Sequence, residues 1–172
     1  MRRALFATLL CSLLASSLAA APDPDCQVPP ERLIAALNAL RASSRSCGAG
    51  VMAAAAPLQW NDRLAASSRL YAEELARRDT ISHEGLVWRT LGKRLNAAGY
   101  RMQMGGENLA AGQDELDDVL AQWMASRDHC ENLMLPEFRD AGLACATGPG
   151  RYRTYWVLHL GLRSEARSSP DQ

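Results

Sequence analysis

The stretch DAGLACATGPGRYRTYWVLHLGL, residues 140–162, decides the fold. Its two apolar halves, about Asp140 to Thr147 and Arg153 to Leu162, have strand length and strand composition. Gly148-Pro149-Gly150 between them is a turn, so the two segments are predicted to pair as an antiparallel hairpin. Helical patterns lie upstream, the long ones early in the chain. Helices flanking a few locally paired strands predict an α+β fold, not a parallel sheet with regular crossovers.

Working back from the hairpin, a short helical turn is expected over His129 to Met134, ended by Pro136. Before it, Leu116, Val119, Leu120 and Trp123 recur at helical spacing behind Asp114 as a cap, with Asp117 and Asp118 outside. Tyr100 to Met104 reads as a short strand and Gly105-Gly106 as a tight turn. Trp88 to Ala98 reads as a helix stopped by Gly99. Asn61 is a good N-cap for a long helix to about Arg78, burying Leu64, Ser67 or Ser68, Tyr71 and Leu75. Pro30 suits the first position of another helix, with Leu33, Ile34, Leu37 and Leu40 inward. Ser43 to Ala56 is expected to be a loop, and Trp60, Trp123 and Trp156 to fill core.

The two chain ends read differently. Arg2 and Arg3 precede an apolar run from Ala4 to Ala21 that closes on small residues, which reads as a secretory signal peptide over 1–21. An irregular leader over 22–29, one domain over 30–163 and a polar tail over 164–172 follow. Export without Arg2 and Arg3 leaves 17 basic against 19 acidic residues, a net charge of −2. That balance gives no sign of a nucleic-acid partner. No later segment is apolar enough for a membrane span, and a monomer in the periplasm or outside the cell is expected.

Loss of Cys11 leaves Cys26, Cys47, Cys130 and Cys145. An even number of cysteines in an oxidising compartment predicts two disulfides, with three pairings open. The sequence-local pairing, Cys26–Cys47 and Cys130–Cys145, is the expectation.

Several landmarks occur in a fixed order: Pro57-Leu58-Gln59-Trp60-Asn61, Ser82-His83-Glu84-Gly85, Arg94 through Ala98-Gly99-Tyr100, and Gly106-Glu107-Asn108-Leu109. Then come Trp123 to His129, Asn132 to Phe138, and Tyr155-Trp156 before Gly161. The ordered set resembles the bacterial, SCP-like branch of the CAP superfamily of cysteine-rich secretory proteins, antigen 5 and pathogenesis-related 1. The resemblance implies a three-layer α-β-α sandwich with a surface cleft faced by two histidines and up to two glutamates, which in some members binds a divalent metal. Carried over, the histidines fall on His83 and His129 and the first glutamate on Glu107. The place of the second glutamate holds Ala125 or Ser126, with Asp128 and Glu131 nearby but out of position.

On chemistry alone, two imidazoles and a carboxylate are a sensible divalent-metal set, zinc before others, with room for an activated water. Glu107 could equally pin the cleft loops by bonding a protonated histidine. Asn108, Ser126 and Trp88 are expected to line the cleft, with Asn108 bonding backbone in a loop and Ser126 capping a helix, while Gly106 serves turn geometry. His159, between Leu158 and Leu160, reads as a sheet histidine first and a cleft residue second. The function expected is a secreted module whose cleft binds a small apolar ligand, lipid or sterol, peptide or cell-envelope component. A metal-dependent hydrolase using His83, Glu107 and His129, and an interaction protein with a vestigial cleft, are the alternatives.

Overall fold

A computed structural model describes residues 26–164. The expected signal peptide, the first part of the leader and the tail beyond Ser164 lie outside the described residues. The chain runs α1 (Pro30–Arg41), β1 (Arg45–Cys47), β2 (Gly50–Met52), β3 (Gln59–Trp60), α2 (Asp62–Arg78) and α3 (Leu91–Ala97). It continues with β4 (Met102–Ala111), α4 (Leu116–Ala125), α5 (Arg127–Met134), β5 (Asp140–Thr147) and β6 (Thr154–Arg163).

β5 and β6 form the antiparallel hairpin expected from residues 140–162, and it is the middle of a four-stranded sheet ordered β3-β5-β6-β4. β3 runs parallel to β5, and β4 runs antiparallel to β6 as an edge strand. Side chains alternate along a strand, and β6 buries both sets. Trp156, Leu158 and Leu160 join Leu33 and Leu37 of α1, Val119 and Trp123 of α4 and Leu133 of α5. Tyr155 and Val157 face the other way and meet Tyr71, Ala72 and Leu75 of α2. The result is an α-β-α sandwich of the expected α+β class.

α2 begins where Asn61 predicts: its side chain accepts from the backbone N–H groups of Arg63 and Leu64. Leu64, Ser67, Ser68, Tyr71 and Leu75 are its buried face. Gly142 of β5 lets the helix lie close, since a Cβ there would come within 2.2 Å of the Ala65 nitrogen. Trp123 and Trp156 are fully buried and Trp60 partly so.

Other expectations fail for identifiable reasons. Gly105-Gly106 is no turn: both lie inside β4, which extends to Ala111. Gly106 is there because the Phe138 ring leaves no room for a Cβ, which would stand 2.7 Å from it. Residues 43–56 are not all loop, because β1 and β2 pair as a small hairpin. The helix expected from Trp88 starts only at Leu91, capped by the Thr90 hydroxyl, which leaves Trp88 in the preceding loop. α4 takes Glu115 rather than Asp114 as its N-cap residue.

The disulfides are Cys26–Cys145 and Cys47–Cys130, 119 and 83 residues apart in sequence, so the local pairing is wrong. α1 explains this. Its twelve residues make a rod about 18 Å long, which carries Cys26 and Cys47 to opposite ends. Cys26 then meets β5, and Cys47 in β1 meets α5.

Candidate functional site

β4 and β6 place Glu107 and His159 directly opposite each other in register. They stand on the α2 side of the sheet, with Leu109 and Val157 as their apolar neighbours on that face. Glu107 is nearly fully buried and its carboxylate is fully engaged. Oε1 accepts from His83 Nδ1 at 2.7 Å. Oε2 accepts from Arg94 Nη2 at 2.6 Å and from His159 Nε2 at 2.9 Å. Burial alone would push the Glu107 carboxyl up. The hydrogen bonds from His159 and His83, with the charges of His159 and Arg94, outweigh it and hold the group down at about 2.

His83 sits in the loop after α2, with its side chain 64 % exposed. Tyr71 Oη donates to the Ser82 carbonyl, and Arg94 Nη2 donates to the His83 carbonyl at 3.2 Å. The bond to Glu107 raises the His83 pKa against the opposing effect of burial. With Nδ1–H donated to the carboxylate, Nε2 is the nitrogen left for a ligand. Arg94 reaches the site from α3, its guanidinium lying 3.7 Å over the Tyr71 ring and donating also to the Trp88 carbonyl at 3.1 Å.

His129 approaches from the opposite layer. It lies in the first turn of α5, where Asn108 Nδ2 donates to its carbonyl at 3.0 Å. Asn108 is completely buried inside β4 rather than in a loop, and its Oδ1 accepts from Asn132 Nδ2. The His129 ring is half-buried and its Nδ1 has no hydrogen-bond partner. Burial, then the charge of His83, lowers its pKa, with Asp128 opposing. The two histidines therefore flank the edge strand β4 from different layers and sense each other electrostatically.

Ser126 occupies the N-cap position of α5, but its side chain makes no capping bond. Asp128 is exposed, and Glu131 pairs with Arg127 at 2.9 Å on the surface. Trp88 lines a cavity between α2 and the loop before α3, together with Tyr71 and Arg94. Arg94 joins Glu107 with no signal in the sequence, and His159, expected first as a sheet histidine, joins it as well. The alternation around His159 marked only a sheet position, and its partner depends on strand register. Arg94 lay inside a quoted motif, yet on a helix its direction was unreadable. Among the described residues, no group of three or more His, Cys, Asp or Glu side chains is arranged to hold a metal ion.

The architecture is an α-β-α sandwich with a His–Glu hydrogen-bonded cluster on its edge strand. Residues 34–160 match the Cysteine-rich secretory protein family, CAP, and the chain belongs to that family. It is 26% identical over 87 residues to YkwD of Bacillus subtilis, a match covering 51% of this chain and 34% of that protein. The chain thus spans about a third of that relative's length. An outer surface protein of Borrelia burgdorferi has a similar fold, with a TM-score of 0.62 and 23% identity over 78% of this chain and 92% of that one. An extracellular SCP-domain protein of Bacillus anthracis superposes with a TM-score of 0.56 and 24% identity, over 63% of this chain and 35% of that one. Two disulfides agree with export, and no helix among the described residues is long and apolar enough to cross a membrane.

Proposed function

We propose that this domain is an extracytoplasmic binding module whose cleft at His83, Glu107 and His129 holds a small anionic ligand, such as a peptide carboxylate or an acidic envelope fragment. One observation carries the reading: Glu107 spends both carboxylate oxygens on His83, Arg94 and His159. It therefore acts through His83, fixing the ring and favouring its charged form, while the exposed side of that imidazole meets the ligand. His129 forms the second wall.

A metal held jointly by His83, Glu107 and His129 does not fit this arrangement, because both oxygens of Glu107 already have partners and no three-ligand group is present among the described residues. The hydrolase reading has less support for a related reason. A carboxyl held at about 2 is a poor general base near neutral pH.

Calorimetry with a short acetylated peptide bearing a free C-terminus, beside its amidated twin, tests the proposal. The free acid should bind more tightly near pH 6 than near pH 8, the amide weakly, and His83→Ala should weaken binding about tenfold or more. Equal binding of acid and amide would remove the anionic reading. A parallel zinc titration giving one site, lost in both His83→Ala and His129→Ala, would replace it with a metal site.

A further inference from the structure

The loop after α2 carries Leu86-Val87-Trp88, three consecutive apolar residues that are 68%, 73% and 37% exposed. Leu70 of α2, 40% exposed, lines the same cavity as Val87 and Trp88. Exposed apolar side chains scattered singly are ordinary, whereas a run of them beside another marks a surface that meets a partner. The backbone of this tip is tied to the domain: the Leu86 N–H donates to Glu74 at 2.7 Å, and the Trp88 carbonyl accepts from Arg94 at 3.1 Å. Trp88 also differs from the other tryptophans. The indole N–H groups of Trp60, Trp123 and Trp156 donate to Asp62, Leu109 and Gln113, whereas that of Trp88 has no acceptor among the described residues. An apolar ring with a free N–H suits a boundary that is apolar on one side and wet on the other.

The charges select the boundary. Residues 62–105, which include α2, the loop and α3, carry eight Lys or Arg against five Asp or Glu, while residues 106–164 carry five against nine. The carboxylates around the loop are already paired: Glu73 with Arg69 at 2.8 Å, Glu74 with Arg78 at 2.9 Å and Glu84 with Arg89 at 3.1 Å. Exposed Arg77 and Lys93 are left without an ion pair among the described residues, and Arg77 lines the cavity beside Leu70, Val87 and Trp88. Apolar side chains for the acyl boundary, an aromatic ring for the headgroup level and free cations for the phosphates are what an anionic lipid surface binds. We propose that the Leu86–Trp88 tip docks this domain reversibly on an anionic lipid surface. Leu86 and Val87 enter the acyl boundary, the Trp88 indole lies among the headgroups, and Arg77 meets lipid phosphate. This docking is independent of what the His83 cleft holds.

Co-sedimentation of the purified mature protein with vesicles tests this, using phosphatidylcholine mixed with phosphatidylglycerol beside phosphatidylcholine alone. The mixed vesicles should bind the protein, less so as salt is raised, and the neutral ones about tenfold more weakly or worse. Val87→Asp should weaken binding to the mixed vesicles about tenfold, and Arg77→Ala about fivefold. Tryptophan emission should shift to the blue on adding mixed vesicles, and Trp88→Phe should remove that shift. Val87 and Arg77 are both exposed, so circular dichroism of the two variants should match the parent. Absence of binding to the mixed vesicles would overturn the proposal. So would equal binding to neutral vesicles, or unchanged binding in Val87→Asp.

Discussion

The two elements that carry the candidate site's histidines, the loop after α2 and the helix α5, are built differently. The His129 wall is fastened covalently, since the next residue, Cys130, is bonded to Cys47. Asn108 and Asn132 tie the same helix to β4 from inside. The His83 wall is a loop held without a disulfide, by hydrogen bonds from Tyr71 to Ser82, from Arg94 to His83 and Trp88, and from the Leu86 N–H to Glu74, and by the His83–Glu107 and Arg89–Glu84 pairs. It exposes Ile81, Leu86, Val87 and Trp88 to solvent, whereas the α5 wall buries Cys130, Leu133 and Met134. Local opening free energy follows buried contacts and protected hydrogen bonds. The fixed half of the site is therefore α5, and the adaptable half is the loop after α2.

The largest effect should come from cutting the fixed wall. Replacing Cys47 and Cys130 by serine should lower the unfolding free energy by about 4 kcal/mol by the chain-entropy estimate for so long a loop. Urea unfolding measures this, and peptide mapping of the unreduced protein should find Cys26 linked to Cys145. A change below about 1 kcal/mol would mean that α5 is held mainly by packing.

Glu107 joins the two walls, and Glu107→Gln should cost about 3 kcal/mol by leaving the buried Arg94 guanidinium without its counter-ion. The same residue gives an acid signature. Its carboxyl lies at about 2 against an ordinary 4.5, so its contribution is complete above about pH 4.5 and is lost as pH falls toward 2. That part of the acid-side slope should vanish in Glu107→Gln.

His83 contributes with the opposite sign and a smaller size. Its raised pKa gives stability that is present below the ordinary 6.5 and fades as pH rises through the higher folded value. His83→Ala should therefore flatten the stability profile on the alkaline side of 6.5. Buried His159, whose pKa burial lowers, and half-buried His129 lose stability as pH falls below 6.5, so their slope should remain in that variant. Smallest of all, Val87→Asp on the adaptable wall should change folding stability by no more than about 0.5 kcal/mol. A larger loss would show that the loop is part of the framework.

Much of the frame was legible because its signals are local. Asn61 as a cap, the Gly148-Pro149-Gly150 hairpin and the buried stripe Leu64, Tyr71 and Leu75 each depend on neighbours within a few residues. His83 and Glu107 were legible as a pair only through the resemblance, and the structure joins them by a hydrogen bond. His129 was placed nearby, but its ring bonds neither partner. Gly106 misled because a glycine kept for close packing against Phe138 has the same letter as one kept for a turn.

By itself the sequence determined the α+β class, the starts of α1 at Pro30 and α2 after Asn61, the terminal hairpin and the oxidised use of its cysteines. These follow from backbone propensity, side-chain periodicity and composition, which act over a turn or a strand. Tertiary structure alone decided that Cys26 meets Cys145 and Cys47 meets Cys130. It alone set Glu107 across from His159 and brought Arg94 between that pair and the Trp88 cavity. Each of those contacts depends on strand register or on where a rigid helix ends in space, and residues that far apart in sequence carry no local signal of it.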